Sequence, residues 1–260
     1  MTVLCVLPAR IGSQRIPNKP LQRLAGRSLI EWSWRAAHAL PCVDRVVVAT
    51  DSEQIVSVVS GFGGEACMTS AAHQSGTDRV AEVVRGELGR GVGIVVNFQS
   101  DEPFLPSPAV CAAVEAVRHG AEVATLACPI RNEREWRSAA VVKVARAADG
   151  RALYFSRSPI PHPRDGEPVF GVSASPWLRH IGLYVYGVAA LERWVDLPVS
   201  PLETVERLEQ LRALEGGIDI EVRIVEPPEN GIDLPEDLER AQRLLSKGND
   251  HLHGKQEAHV

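Results

Sequence analysis

The chain has 260 residues, of which 45% are hydrophobic and 23% are charged, as is typical of a globular protein with one large domain. Its formal net charge of −5 gives no overall attraction to nucleic acid or to an anionic membrane, so neither partner is expected. The five scattered cysteines lack C-x-x-C spacing, which favours buried apolar residues in a reducing cytoplasm over a disulfide framework or a zinc site. No signal peptide or membrane span is expected.

The first predicted strand, residues 3–7, is a short apolar run that ends at Pro8. Such a run is typical of a strand buried on both faces of a parallel sheet, where ligands bind beyond the carboxyl ends of the strands. The loop that follows carries three cations, Arg10, Arg15 and Lys19. We interpret this loop as a cradle for a triphosphate, because arginine forks and a lysine ammonium match phosphate oxygens. A solvated basic loop is the alternative explanation.

The next predicted elements are a helix over 28–40, a strand over 46–49 and a helix over 53–60. Ser28 and Glu31 form a capping-box pattern at the start of the first helix. Alternation of strands and helices predicts an α/β fold with a doubly wound, mostly parallel sheet.

A polar segment over 67–79 leads into a predicted helix that begins near Thr77. Ser75 and Asp78 have the spacing of a capping pair at that helix start. The other interpretation is that the hydroxyl and N–H groups of this segment face the same ligand as the cation loop. The spacing alone favours the cap.

Residues 94–98 form the next predicted strand, and Gln99 and Asp101 lie just past its carboxyl end. A carboxylate at that position is suited to Mg²⁺, which binds one or two carboxylates together with substrate phosphates. The alternative is a turn into the helix predicted to start near Ser107. The position at the end of a strand favours the functional interpretation.

The second half of the chain contains predicted strands over 123–127, 141–146, 179–186 and 220–225. The strand over 179–186 places His180, Gly182, Tyr184 and Tyr186 on one face, which indicates a polar pocket. A single charged helix is predicted over 201–215, and a final helix follows Asp233, whose carboxylate would suit the helix dipole. Residues 246–260 are predicted to be a disordered tail.

Nine short motifs now stand in order along the chain. They are Leu7-Pro-Ala-Arg10 with Ser13, Arg15 and Lys19; Ala49-Thr-Asp51; His73-Gln-Ser-Gly-Thr77 with Arg79; Asn97-x-Gln-x-Asp-Glu-Pro103; Tyr154-Phe-Ser-Arg157; Arg179-His-x-Gly-x-Tyr184; Ser200-Pro-Leu-Glu203; Leu208-Glu-Gln-Leu-Arg212; and Gly231-Ile-Asp-x-Pro-Glu-Asp237. Together they resemble the 3-deoxy-manno-octulosonate cytidylyltransferases, or CMP-Kdo synthetases, from about Val3 to Leu245.

The resemblance implies one cytidylyltransferase domain over 1–245. Its fold would be Rossmann-like, with a mostly parallel sheet, helices on both faces and a small antiparallel insertion over about 130–200 that pairs two subunits into a homodimer. The implied reaction, part of lipopolysaccharide biosynthesis, transfers CMP from CTP to the anomeric hydroxyl of 3-deoxy-D-manno-octulosonate (Kdo) and releases pyrophosphate. Mg²⁺ is the implied cofactor, and the cytoplasm is the expected location.

The resemblance also implies the roles of particular residues. The nucleotide would contact Leu7, Ala9, Arg10, Ser13, Arg15, Lys19, Gln74, Ser75, Gly76, Thr77, Arg79, Gln99 and Asp101. The acceptor would contact Arg157, His180, Tyr184, Glu209 and Gln210. The metal ligands would be Asp101 and Asp233, and these two residues and Lys19 would be catalytic. No protein general base is expected, because a metal-bound hydroxyl has a lowered pKa.

Three positions depart from the family pattern. Asn18 and Ser100 stand where glycine is usual, and Gly187 replaces a usual basic residue. These differences leave open a different acid acceptor, such as another sugar acid or a phosphonate in a natural-product pathway. A non-catalytic CTP-binding module is a further alternative, although the three implied catalytic residues argue against it. A dehydrogenase is disfavoured, because no G-x-G-x-x-G follows the first strand.

Overall fold

The computed structural model describes residues 1–12, 16–172, 175–229, 231–232 and 234–253. The strands are β1 (Thr2–Ala9), β2 (Arg23–Leu24), β3 (Arg27–Ser28), β4 (Arg45–Thr50), β5 (Glu65–Met68), β6 (Val92–Asn97), β7 (Val123–Pro129), β8 (Lys143–Arg146), β9 (Ala152–Ser156), β10 (Leu178–Gly187) and β11 (Ile220–Ile224). The α-helices are α1 (Leu29–His38), α2 (Glu53–Gly61), α3 (Gly76–Arg85), α4 (Ser107–Arg118), α5 (Glu133–Arg137), α6 (Val188–Asp196), α7 (Pro201–Glu206), α8 (Gln210–Glu215) and α9 (Pro235–His253).

The main sheet has the order β11-β7-β10-β6-β1-β4-β5. The pairs of β1 with β4 and β6, of β4 with β5, and of β7 with β11 are parallel. β10 is antiparallel to both of its neighbours, β6 and β7, and β8 and β9 extend the sheet from β10 as an antiparallel pair. The predicted α/β fold with a mostly parallel sheet is therefore confirmed, with antiparallel strands inside it.

Helices cover both faces of this sheet, which explains why the strand sequences are continuously apolar. In β1, Val3, Cys5 and Leu7 pack on the face covered by α1, α2 and α4, whereas Leu4 and Val6 pack on the face covered by α3, α6 and α8. All five side chains are fully buried. A strand with two buried faces has no solvent side on which a polar residue would be favoured.

The predicted caps form at two helix starts. The Ser28 hydroxyl accepts a hydrogen bond from the Glu31 N–H at the start of α1. The Ser75 hydroxyl accepts one from the Asp78 N–H at the start of α3. The second cap fixes the N-terminus of α3 at the carboxyl end of the sheet, where it can face a ligand.

The prediction of one helix over 201–215 is wrong, because the segment forms α7 and α8 with a break at Arg207. Arg207 has left-handed backbone angles, with φ of 53°. The Arg212 guanidinium donates to both carboxylate oxygens of Glu203, at 2.8 and 2.7 Å, and so folds α8 back against α7. The break brings Glu209 and Gln210 toward the body of the protein, where Gln210 is buried.

The prediction that no disulfide forms is also wrong. Cys42 and Cys111 are bonded, with their Cα atoms 5.6 Å apart. Cys42 follows α1 and Cys111 lies on α4, and both belong to the same face of the sheet, so residues distant in sequence become neighbours. The cysteines therefore no longer support the expectation of a reducing compartment.

The C-terminal helix runs further than expected. Its backbone continues to His253, so the predicted boundary between domain and tail at residue 245 falls inside α9. Residues 254–260 lie outside the described residues, and their disorder stays a prediction. Within the described part of the chain, no helix combines the length and the apolar character needed to cross a bilayer.

Candidate active site

A cavity of about 390 Å³ lies at the carboxyl ends of β1 and β6, beside the N-terminus of α3. We call it the first cavity. Its lining residues are Pro8, Ala9, Arg10, Lys19, Pro20, His73, Gln74, Ser75, Gly76, Arg79, Gln99, Ser100 and Asp101. The first cavity therefore occupies the position at which ligands bind in open α/β sheets.

Most of the residues predicted to contact the nucleotide meet in this cavity. Those that line it are Ala9, Arg10, Lys19, Gln74, Ser75, Gly76, Arg79, Gln99 and Asp101. Leu7 and Thr77 do not line it, and both side chains are buried. Ser13, Arg15 and Asp233 lie outside the described residues, and their roles stay predictions.

Lys19 and Asp101 form an ion pair at the wall of the first cavity. The Lys19 Nζ lies 2.7 Å from the Asp101 Oδ2. Lys19 is held in a short 3-10 turn, Lys19–Leu21, and Asp101 lies just past the end of β6. The pairing brings the predicted catalytic cation next to a predicted metal ligand, although 82 residues separate them.

The three departures from the family pattern have different structural consequences. Asn18 has left-handed backbone angles, with φ of 51°, a conformation that asparagine adopts more readily than most residues other than glycine. Ser100 lines the first cavity, and its carbonyl oxygen accepts a hydrogen bond from the Ser33 hydroxyl. Gly187 pairs with Ile94, toward the opposite end of β6 from the cavity. Of the three, Ser100 is the one that changes the cavity wall.

Arg79 lines the first cavity, but its guanidinium is committed to protein groups. It is 3% exposed, lies 2.9 Å from the Asp51 carboxylate and donates to the Thr69 hydroxyl. These bonds tie α3 to the carboxyl end of β4 and to the segment that leads into the cap at Ser75. Arg79 therefore supports the cavity wall rather than presenting a free charge to a phosphate.

A second pair supports the same wall. The Glu82 carboxylate accepts a hydrogen bond from the Ser70 N–H at 2.9 Å and contacts the His73 ring. Burial acts to raise the pKa of Glu82, but the Ser70 and His73 hydrogen bonds outweigh it and hold the pKa below its ordinary value. The carboxylate form thereby keeps His73 in place at the cavity.

The predicted placement of His180, Tyr184 and Tyr186 on one face of β10 is confirmed, but Tyr184 and Tyr186 are buried among apolar side chains rather than lining a polar pocket. The His180 and Tyr184 ring centroids are 5.4 Å apart, and those of Tyr184 and Tyr186 are 5.9 Å apart. The His180 Nε2 lies 3.0 Å from the Thr125 hydroxyl. Burial lowers the pKa of His180 to about 3, so its ring is neutral near neutral pH. A neutral ring can donate or accept a hydrogen bond but offers no charge to a carboxylate.

The other predicted acceptor residues are held by protein contacts. Glu209 accepts from the Ser75 hydroxyl at 3.3 Å, and burial raises the pKa of its carboxyl above the ordinary value. The Arg157 guanidinium donates to the backbone oxygens of Glu206 at 2.8 Å and Ala139 at 3.0 Å. Glu209 thus connects the start of α8 to the cap of α3, next to the first cavity.

A second cavity has a volume of about 630 Å³. The loop after β6 contributes to both cavities, since Asp101 lines the first and Glu102 lines the second. It is lined by Glu102, Arg131, Asn132, Arg134, Glu135, Ser138, Ala140, Val141, Val142, Arg179, His180, Ile181, Gly182, Pro228, Glu229, Gly231 and Asp237. Of the predicted acceptor residues, only His180 lines it. Arg157, Tyr184, Glu209 and Gln210 line neither cavity.

Sequence reasoning missed an ionic cluster in the second cavity. The Arg179 Nε lies 3.4 Å from the Glu135 carboxylate, which also accepts a hydrogen bond from the Arg131 N–H at 2.8 Å. Arg131 and Glu135 lie between β7 and β8, in a connector that contains α5, and Arg179 belongs to one of the nine motifs. Nothing in their spacing indicated that the connector folds onto β10.

The Asp101 region fits a hard divalent cation. Its carboxylate is accessible from the first cavity, and its carbonyl oxygen accepts a hydrogen bond from the Ile232 N–H at 2.8 Å, which fixes residues 231–232 against it. Carboxylate oxygens together with phosphate oxygens are the ligands that Mg²⁺ prefers. The described residues contain no cluster of three or more metal-binding side chains, so a cation here would depend on the nucleotide for further ligands.

Comparisons with known proteins agree with one another. Residues 4–220 match the family model described as "Cytidylyltransferase". The 3-deoxy-manno-octulosonate cytidylyltransferase of Syntrophotalea carbinolica is 44% identical over 94% of this chain and 99% of its own length. That of Anaeromyxobacter dehalogenans is 47% identical over 95% and 98%. A CMP:2-keto-3-deoxy-manno-octonic acid synthetase solved in complex with CTP superimposes with a TM-score of 0.88, at 36% identity, over 95% of this chain and all of its own.

Proposed function

The chain belongs to the 3-deoxy-manno-octulosonate cytidylyltransferase family, and from this premise we propose that it transfers CMP from CTP to Kdo, giving CMP-Kdo and pyrophosphate. The observation that carries the proposal is the Lys19–Asp101 pair in the wall of the first cavity, directly before Glu102, which lines the second cavity. A cation and a carboxylate suited to a metal ion in this position fit transfer between a nucleotide in the first cavity and an acceptor in the second.

CTP occupies the first cavity in this proposal. The related synthetase of the same fold was solved with CTP bound. The backbone N–H groups at the start of α3, with Arg10 and Lys19, suit a polyanion. Gly76 keeps the cavity open, because a Cβ there would lie 3.3 Å from the Pro8 ring, tighter than an ordinary contact. The first cavity therefore offers a nucleotide both positively charged side chains and close approach to backbone N–H groups.

The acceptor occupies the second cavity. Its lining includes arginines, carboxylates, His180 and backbone groups, which together suit a molecule with one carboxylate and many hydroxyls. In this proposal the acceptor approaches the α-phosphorus past the loop after β6, which lines the first cavity with Asp101 and the second with Glu102. Attack from that side leaves the pyrophosphate in the first cavity, as in-line displacement requires.

Mg²⁺ is held by Asp101 and Asp233 in this proposal, and when bound it lowers the pKa of the acceptor hydroxyl and neutralises phosphate charge. The chain itself positions both ligands. Lys19 places an ammonium where negative charge develops during the reaction. Arg79 and Asp51 hold the wall beside the nucleotide in place.

We further propose that the protein is a homodimer, paired through the region over about 130–200. Large apolar side chains are exposed in and next to this region, at Leu153, Val169, Val172, Val199, Leu202 and Val205. Apolar surface of this kind is typical of a site that another chain covers. Sedimentation equilibrium tests the proposal, which requires twice the mass of one chain. The cytoplasmic location stays a prediction.

The test of function is product identification. CTP and Mg²⁺ are incubated with the enzyme and with Kdo, other sugar acids or small phosphonates in parallel, and the products are identified by mass spectrometry. We expect CMP-Kdo to be the main product. A product with another acid alone would overturn the choice of acceptor and direct attention to Ser100, which alters the first cavity. CTP binding without any product would indicate a non-catalytic module.

A further inference from the structure

Lys143, at the start of β8, is a buried cation to which the proposed reaction assigns no role. Its side chain is 0% exposed. The Nζ donates to the backbone oxygens of Ser138 at 2.9 Å, Val141 at 2.7 Å and Arg157 at 2.5 Å. An ammonium has three N–H donors, so these three bonds account for all of them.

The three carbonyl groups belong to segments that build the acceptor side. Ser138 and Val141 line the second cavity, and Arg157 follows β9. The adjacent Val142 accepts a hydrogen bond from the His180 N–H at 2.9 Å, and His180 also lines this cavity. The Lys143 ammonium therefore lies behind the cavity wall at Ser138 and Val141 and connects this wall to the backbone of Arg157, which itself lies outside the cavity.

Burying a charge in this way is costly to stability, since the ion loses its hydration. A methionine or leucine would fill a similar volume without that cost. A buried ammonium does have one advantage over an apolar residue, because it can hold three carbonyl groups at fixed distances and directions at once. The Lys143 ammonium is thus suited to fixing the positions of these three carbonyl groups rather than to stabilising the folded protein.

We propose that Lys143 is a positioning residue for the acceptor: it holds the wall over 138–142 and Arg157 in the geometry that the acceptor requires. The inference rests on the proposed function, because it takes the second cavity as the acceptor site. The first cavity is built from other segments, so CTP binding does not depend on Lys143.

Charged groups on neighbouring elements face Lys143. Glu206 on α7 accepts from the Arg157 N–H at 3.0 Å, and Arg157 itself follows β9. Arg179 is the register partner of Lys143 on β10 and is paired with Glu135. Burial lowers the pKa of Lys143 to about 8, with Glu206 opposing that shift and Arg157 adding to it. Above this pH the amine is neutral and loses one of its three donors.

The experiment compares Lys143→Met with Arg146→Met as a matched control. Arg146 lies on the same strand and also donates to a backbone oxygen, that of Val222, but it lines neither cavity. For Lys143→Met we expect the KM for Kdo to rise about tenfold or more, as the loss of charge-assisted hydrogen bonds implies. The KM for CTP should change by less than about twofold, and Arg146→Met should change neither KM by more than about twofold. Equal effects on both substrates, or none, would overturn the proposal.

The wild-type enzyme supplies a second measurement that does not depend on the variant folding. The KM for Kdo should rise between pH 7 and pH 9, while the KM for CTP stays flat, because Lys143 loses its proton in that range. A flat KM for Kdo would contradict the positioning role. If the wild type uses a different acid, the proposed acceptor fails, and the same two measurements made with that acid still test Lys143.

Discussion

At the scale of single residues, the cations of the first cavity serve two purposes. Lys19 lies in the wall of the first cavity and pairs with Asp101, where the proposed transfer would develop charge. Arg79 is buried and holds Asp51 and Thr69. The sequence predicts both residues near the nucleotide, and only the structure shows that the Arg79 guanidinium is held by two protein groups, whereas the catalytic role of Lys19 is a proposal.

This distinction predicts a stability change for Arg79→Met. The substitution leaves the half-buried Asp51 carboxylate without its partner, so the free energy of unfolding should fall by about 3 kcal/mol. Arg45→Met is the control, because Arg45 and Glu65 form an exposed pair whose loss should cost less than about 1 kcal/mol. Urea denaturation measures both. An equal fall in the free energy of unfolding of the two variants would show that the buried Arg79–Asp51 pair contributes no more to stability than the exposed pair.

At the scale of elements, the break between α7 and α8 decides where Glu209 and Gln210 lie. Sequence periodicity indicated one continuous helix, because the residues around Arg207 have no glycine or proline. The break depends on the pair of Glu203 with Arg212, nine residues apart, and on a left-handed backbone at an arginine. By contrast, the start of α3 was predictable, because its cap uses residues three positions apart.

The same pair predicts a dependence of stability on pH. Burial acts to raise the pKa of Glu203, but hydrogen bonds from Arg212 and the Ser200 N–H outweigh it and lower the pKa below the ordinary 4.5. A carboxyl with a lowered folded pKa contributes stability above its unfolded pKa and loses it as the pH falls through the folded pKa. The free energy of unfolding should therefore fall below pH 4.5.

The variant Glu203→Gln isolates this contribution. It should be less stable than the wild type at neutral pH and should lose less stability on acidification, as followed by urea denaturation at a series of pH values. Glu133→Gln removes an exposed i,i+4 pair and serves as the control, whose pH profile should match that of the wild type. Parallel profiles for the wild type and Glu203→Gln would contradict the assigned role of the pair.

At the scale of the whole molecule, the sheet and the first cavity could be predicted because their signals are local. Apolar runs mark the strands, and polar residues follow the carboxyl ends of β1 and β6. The second cavity could not be predicted from spacing, since its wall combines residues that are far apart in sequence, such as Arg131, Arg179 and Pro228. The disulfide was missed for the same reason.

The disulfide joins the end of α1 to α4 and predicts a thiol count. In denaturant without reductant, three thiols should react, those of Cys5, Cys67 and Cys128, whereas all five should react after reduction. Closing a loop of 69 residues should stabilise the oxidised protein by about 4 kcal/mol, so reductant should lower its melting temperature. Five reactive thiols before reduction would show that the bond is absent.

The measurement that tests the central claim most directly is the initial rate of pyrophosphate release from CTP and Mg²⁺, with and without Kdo. The account predicts a rate that requires Kdo and that falls at least about 100-fold in both Lys19→Met and Asp101→Asn, because charge stabilisation is lost in the wall of the first cavity. Arg23→Met, an exposed cation nearby, should keep the wild-type rate. Release that does not depend on Kdo, or that survives both substitutions, would contradict the account.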